Sequence, residues 1–202
     1  MSTVYRPDED SMLLLRNMES RIRGNVLDMG TGSGVLAVAA ASYAEVVGVV
    51  AVDVDSEAIE KAESRAREAG ISSRIEFRGG DLFEGMEGER FDWIIFNPPY
   101  LPSEGSADEV SWVGGVRGGE TVDRFLNQAG DHLNPGGGIL LVVSSLTSFD
   151  RNEVKETFSL SVLEELPLFY ERLYCLLLEP LNPSGVPGRI RRRRRPRRER
   201  GR

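Results

Sequence analysis

The 202 residues, 40% apolar and 28% charged with a formal net charge of −7, suffice for one soluble α/β domain with a full core and leave little for a second. No apolar stretch approaches the roughly 18 residues of a membrane span and the first residues form no apolar signal segment, so a cytoplasmic protein is expected. One cysteine, Cys175, and one histidine, His132, exclude an internal disulfide framework and a thiolate metal cluster and leave a histidine triad little support, so no metal site is indicated.

In chain order, Pro7 to Arg21 reads as a helix. Pro7 stands near its start, Asp8, Glu9 and Asp10 fill the acid-favouring first turn, and Met12, Leu15, Met18 and Ile22 share one face. Asn25-Val26-Leu27-Asp28 is a strand that leads into the turn Gly30-Thr31-Gly32-Ser33-Gly34, followed by a small-residue helix from Val35 to Tyr43. Val46 to Val52 is a second strand, Ser56 to Ala69 a charged amphipathic helix closed by Gly70, Arg74 to Phe77 a short third strand and Phe91 to Phe96 a fourth. Glu120 to His132 makes a helix, in which Glu120 and Arg124 at i, i+4 read as a surface pair. Gly138 to Ser144 is a fifth strand, and Arg151 to Phe158 a short helix. Ser161 to Glu165 and Phe169 to Leu178, around Pro167, read as a hairpin with Cys175 in its apolar run as a core residue. His132 reads as structural.

The fold is expected to close by residue 181. Asn182 to Gly188 then reads as a linker, and Arg189 to Arg202 holds 10 arginines and one glutamate, a low-complexity run expected to be disordered. Residues 1–188 carry 15 basic and 31 acidic side chains, a strongly acidic body with a net charge of −16. The tail could grip RNA phosphates, or it could be a non-essential extension.

Strand and helix alternate throughout, which predicts a doubly wound, mainly parallel sheet with its ligand outside the carboxyl ends of the strands. The polar residues obey that rule: Asp28 ends the first strand, Asp53 the second, Asp81 follows the third and Asn97 the fourth. Gly30, Gly32 and Gly34 let the backbone approach a ligand; by themselves they fit a dinucleotide, or a plain strand-to-helix turn, equally well. Asp28, two residues before the first glycine, would repel a pyrophosphate and welcome an amino group. Asp53 lies 23 residues after Gly30, where an acidic side chain meets ribose hydroxyls, and Asp81 could accept from an adenine amino group. The set points to S-adenosylmethionine.

Asn97-Pro98-Pro99-Tyr100 is the sharpest signal. Pro98 and Pro99 lack N–H donors, so the chain can continue neither a ladder nor a helix there, and the Asn97 amide and the Pro98 carbonyl are left to face a ligand. Two acceptors side by side can grip both hydrogens of a planar NH₂ group.

With these residues the chain resembles the HemK/PrmC family of glutamine-N5 methyltransferases. Val4-Tyr5-Arg6-Pro7-Asp8-Glu9-Asp10-Ser11 followed by Leu13-Leu14-Leu15 looks like the start of the archaeal and eukaryotic branch, and Trp112 to Glu120 with Asp123-Arg124-Phe125 is similar to that branch's segment after the catalytic motif. The resemblance covers residues 4 to 179. It implies a class I methyltransferase (Rossmann-like) fold with a seven-stranded sheet, a C-terminal antiparallel hairpin and helices on both faces. It also implies that Ser11, Asp28, Gly30, Gly32, Gly34, Asp53, Asp81, Leu82 and Asn97 hold S-adenosylmethionine. Asn97, Pro98, Pro99 and Tyr100 would receive the glutamine of a Gly-Gly-Gln motif in a class I translation termination factor. A further implication is a heterodimer with a small zinc-binding activator protein on the edge formed by Ile75-Glu76-Phe77. Trp112 could border the entrance or simply anchor its loop. Two other functions compete: an adenine-N6 or guanine-N2 methyltransferase, which uses related motifs but would have to extrude a base and hold phosphates, and a non-catalytic module retaining the fold.

Overall fold

The computed structural model describes residues 8–99, 119–149 and 151–181. Tyr100, Trp112 and the arginine tail lie outside the described residues, as does Pro7 at the expected helix start. The elements are α1 (Asp8–Met18), β1 (Gly24–Met29), α2 (Val35–Ser42), β2 (Val46–Asp53), α3 (Ser56–Glu68), β3 (Ile75–Gly79), β4 (Phe91–Phe96), α4 (Glu120–Ala129), β5 (Leu133–Ser144), α5 (Arg151–Thr157), β6 (Phe158–Pro167) and β7 (Arg172–Pro180). They build one seven-stranded sheet in the order β3-β2-β1-β4-β5-β7-β6. The first five strands are parallel; β7 runs antiparallel to both β5 and β6, giving the expected C-terminal hairpin.

Strands of this kind are buried on both faces, so successive residues enter two different cores. Val26, Val49, Ala51, Ile95, Leu140 and Val142 pack beneath α1, α2 and α3. Their neighbours Leu27, Val52, Ile94, Phe96, Ile139, Leu141 and Val143 pack beneath α4 and α5. A one-residue slip of any strand would exchange these sets, and the two cores therefore lock the register. That register sets Asp28 level with Ile95 of β4, so Asn97 stands two residues beyond Asp28 on the adjacent strand.

Several elements differ from the sequence expectation. The first helix turns Leu13, Leu14 and Met18 inward with no exposed surface, while Met12 is 47% exposed. Its buried stripe is 10-13-14-17-18, an i, i+3, i+4, i+7, i+8 pattern whose polar members Asp10 and Asn17 disguise it. The expected helix to His132 ends at Ala129 and tightens into a 3-10 turn from Gly130 to His132. The hairpin starts earlier and turns later than expected. Pro167 ends β6, Leu168 N–H donates to Glu171 C=O at 2.8 Å, and Phe169, read as the start of a strand, sits 88% exposed in the turn. At Gly119 a Cβ would meet the Ser148 backbone oxygen at 1.8 Å, so the start of α4 lies directly against that segment.

His132 is structural, as expected. Its ring stacks on Phe83 at 4.3 Å, and Nδ1 lies 2.9 Å from the Glu89 carbonyl oxygen. Cys175 is fully buried, opposite Val142 of β5, and burial pushes its thiol up to about 12. A thiol reagent at neutral pH is therefore expected to modify the folded protein no faster than the protein unfolds, with one thiol per chain released by denaturant; rapid modification under native conditions would contradict this burial.

Candidate functional site

The chain runs outward from β1 through β2 to β3 and then returns to β4 on the other side of β1. Strand order reverses between β1 and β4, and connections on either side of that point leave toward opposite faces of the sheet. Open sheets of this topology leave a crevice at such a point, at the carboxyl ends. The end of β1 leads into the glycine turn, which is left-handed at Gly30, Gly32 and Gly34. At Gly34 the requirement is double, because φ is +77° and a Cβ would stand 2.8 Å from the Cα of Ala62 in α3. The third glycine thus lets α2 and α3 pack closely while starting the helix beneath the turn.

Two carboxylates sit against this turn. Asp28 is fully buried; its Oδ2 accepts from Thr31 Oγ1 at 2.6 Å, and the carboxylate also takes the backbone N–H of Ala37 near the start of α2. Its Oδ1 is buried with no hydrogen-bond partner. Burial, with a contribution from the neighbouring Asp53, outweighs those bonds and pushes Asp28 up to about 7. Asp53 accepts from Gly32 N–H at 2.8 Å and from Asp55 N–H at 3.0 Å, so it ties the end of β2 to the glycine turn. Asp55 in turn caps α3, accepting from Glu57 N–H at 2.8 Å.

At the end of β4, Asn97 is half-buried, Pro98 buried and Pro99 exposed. α1 reaches over from the other end of the sequence, so that Asn97 Nδ2 donates to Ser11 Oγ at 3.5 Å and to the Asp10 carboxylate. Asn97 Oδ1 is buried and has no partner. The structure therefore brings together Ser11, Asp28, Asn97 and Pro98, with the glycine turn and Asp53 alongside.

Asp81 and Leu82 follow β3 on the flank of the crevice. Leu82 has φ +53° and is the one non-glycine residue with positive φ among the described residues, a strained conformation for a bulky, buried side chain. Asp81 Oδ2 accepts from Arg124 Nη2 at 2.6 Å, which corrects the expected Glu120–Arg124 pair. Helix spacing allowed the Glu120 pairing, but the turn after β3 carries Asp81 to the outer face of α4, and a carboxylate fixed there is the better partner. Two residues near the site escaped the sequence reading: Asp10, which looked like an ordinary first-turn acid, and Arg124. For Asp10 a signal existed, since it falls on the buried stripe of α1.

Residues 3–164 match the methyltransferase small domain family. A protein of Methanocaldococcus jannaschii, provisionally named a protein N5-glutamine methyltransferase, is 34% identical over 183 residues, covering 86% of this chain and 90% of that one. A ribosomal protein uL3 glutamine methyltransferase of Bradyrhizobium diazoefficiens is 37% identical over 72% of this chain and 46% of its own. A release factor glutamine methyltransferase of Koribacter versatilis is 35% identical over 69% of this chain and 54% of its own. The chain thus spans about half the length of these two bacterial relatives. Among solved structures, a 16S rRNA N2 methyltransferase of T. thermophilus in complex with AdoMet and guanosine aligns with a TM-score of 0.64 at 23% identity, covering 89% of this chain and 45% of that one. That likeness is one of fold.

The Asp28 shift has a consequence for stability. A carboxyl group raised from 3.8 to about 7 on folding contributes its full stabilisation below about pH 4, and that contribution declines as pH rises until the folded group has ionised near 7. Asp28→Asn, which stays neutral, is expected to melt above the wild type at pH 8, by on the order of 4 kcal/mol in stability, with the gap shrinking toward pH 4. Thermal unfolding at the two pH values checks this; a gap independent of pH would show that Asp28 does not titrate as its burial requires.

Proposed function

Since the chain belongs to the methyltransferase small domain family and, within it, to the HemK/PrmC group of protein glutamine-N5 methyltransferases, we propose that it methylates the side-chain amide nitrogen of the glutamine in a Gly-Gly-Gln motif of a class I translation termination factor. The observation that carries this reading is the buried, unpartnered Asn97 Oδ1 beside the Pro98 turn, at the mouth of the crevice that also holds the unpartnered Asp28 Oδ1. An orphaned acceptor in a crevice is suited to a donor brought by a ligand, because leaving it unpaired costs about 1–3 kcal/mol.

The residues fit S-adenosylmethionine as methyl donor. Asp28 would accept from its amino group through Oδ1, Ser11 would lie by its methionine end, and Gly30, Gly32 and Gly34 would let the backbone approach. Asp53 keeps lone pairs for the ribose hydroxyls, while Asp81 and the Leu82 backbone would meet the adenine. The strain at Leu82 supports a ligand contact there. When bound, S-adenosylmethionine supplies an electrophilic methyl group on a sulfonium. The rest of the task falls to the chain. An amide nitrogen is a weak nucleophile because its lone pair is delocalised into the carbonyl. Asn97 Oδ1 and the Pro98 carbonyl, accepting one N–H each, favour positive charge on that nitrogen as the new bond forms, and they hold it in line. Tyr100 would pack against the amide plane. A strong base is unnecessary, since the nitrogen becomes acidic only as it is methylated and then loses its proton.

Intact and peptide mass spectrometry tests the reading. A termination factor incubated with S-adenosylmethionine and the protein is expected to gain one methyl group on the Gly-Gly-Gln glutamine, and Asn97→Ala is expected to slow this by ~10²–10³-fold. Ribosomal protein uL3, RNA and DNA run as parallel substrates. Methylation of one of these, with none on the termination factor, would overturn the assignment, and salt-sensitive transfer to RNA lost on removing residues 189–202 would favour the nucleic acid reading.

The same reading includes a small zinc-binding activator protein on β3. That strand has β2 as its one partner in the described sheet, and an edge of this kind invites pairing. Sedimentation is expected to find the chain self-associating alone and forming a one-to-one complex with the activator; a stable, fully active monomer would remove the activator from the account.

A further inference from the structure

We propose that Asp10 is a positioning residue for the methyl acceptor: its buried carboxylate takes a hydrogen bond from the Asn97 amide nitrogen and thereby decides which end of that amide faces the substrate. This deepens the reading above and rests on it. The two ends of an asparagine amide have nearly the same shape, so packing alone cannot choose between them; neighbouring donors and acceptors must. A carboxylate oxygen is an acceptor, and Asp10 Oδ1 already accepts from Ser11 N–H. Placed against Asn97, it admits the NH₂ end and leaves the oxygen turned away, which is the arrangement seen: Nδ2 toward Asp10 and Ser11 Oγ, Oδ1 buried without a partner. The opposite orientation would point the Asn97 NH₂ at the substrate NH₂, donor against donor, and the grip on the nucleophile would be lost.

Asp10 is held for this task. It is 6% exposed, and Ser11 N–H donates to its Oδ1 at 2.6 Å. Burial raises its pKa, while the bonds from Asn97 and from the Ser11 backbone pull it back. The helix that carries it is fastened to the far side of the sheet. Asn17 Nδ2 donates to Leu13 C=O at 2.9 Å and to Glu164 Oε2 at 2.7 Å, and Arg16 pairs with Glu164 Oε1 at 2.7 Å. With Leu13, Leu14 and Met18 fully buried beneath it, α1 presents Asp10 to the end of β4 as a fixed wall.

The test uses the full chain as wild type, Asp10→Ala, Asp10→Asn and the double variant Asp10→Ala with Asn97→Asp. Asp10→Ala is expected to lower kcat by ~10–100-fold, with KM for the termination factor and S-adenosylmethionine affinity by calorimetry changed less than about threefold. Asp10→Asn retains an acceptor oxygen and should fall between. The decisive variant is the double one: an aspartate at 97 offers oxygen whichever way it turns, so it no longer needs orienting and should recover about tenfold of the lost kcat. A double variant no faster than Asp10→Ala would assign Asp10 a merely structural role. A second readout needs no methyl acceptor. The Asn97 side-chain NH₂ signals in a ¹⁵N NMR spectrum, identified by their loss in Asn97→Ala, should exchange faster with solvent in Asp10→Ala and in Asp10→Asn. Unchanged exchange overturns the positioning role even where the termination factor is methylated. Faster exchange in a protein that methylates no glutamine sustains it and removes the substrate assignment instead.

Discussion

The reversal of strand order between β1 and β4 is the constraint on which everything else rests. Parallel neighbours joined by crossover helices fill the space above their carboxyl ends, except where successive connections leave toward opposite faces. At that gap the ends of β1 and β4 lie side by side, and two cores of opposite facing fix their register. Because the register is fixed, Asp28 and Asn97 meet from positions 69 residues apart in the chain without a direct bond between them. The glycine turn, the approach of Asp53 and the reach of α1 all arrange themselves around this pair.

Carboxylates dominate the site, which is unfavourable for the empty protein. Asp28, Asp53 and Asp10 are all removed from solvent, and at Asp28 and Asp10 burial outweighs the hydrogen bonds that the carboxylates accept from backbone N–H groups, a hydroxyl and the Asn97 amide. Asp28 is the extreme case, held near neutral pH between its two forms and left with one unpaired oxygen. Such an arrangement lowers stability and gains binding: a cationic group entering the crevice would find an acceptor already dehydrated and oriented. Leu82 belongs to the same pattern, a buried, bulky side chain on a backbone of positive φ. Destabilising features that gather at one end of one sheet are the physical mark of a binding site.

Much of this was legible in the sequence because local rules coincide with the global fold. Apolar runs of five to eight residues, glycine at the turn and acids at helix starts placed seven strands and five helices close to where they lie. The misreadings share a cause. The face of α1 was misjudged because Asp10 and Asn17 occupy its buried stripe as polar residues whose partners, Asn97 and Glu164, are far away in sequence. Arg124 was given to Glu120, its helical neighbour, whereas the turn after β3 delivers Asp81. Phe169 looked like strand material until the turn closed by Leu168 and Glu171 claimed it.

By itself the sequence determined the kind of chemistry: an asparagine followed by two prolines must end a strand and leave its amide and a carbonyl outside the ladder, and four polar residues each just past an apolar run must share one edge of a parallel sheet. These are consequences of covalent geometry and of the two-residue strand period, and they need no partner from elsewhere in the chain. What only the tertiary structure decided is orientation and charge. Which oxygen of Asp28 is left unpaired, how far burial lifts its pKa, and which end of the Asn97 amide faces the crevice depend on groups brought together through space. Desolvation and hydrogen bonding are properties of that surrounding, and no local pattern in the chain encodes them.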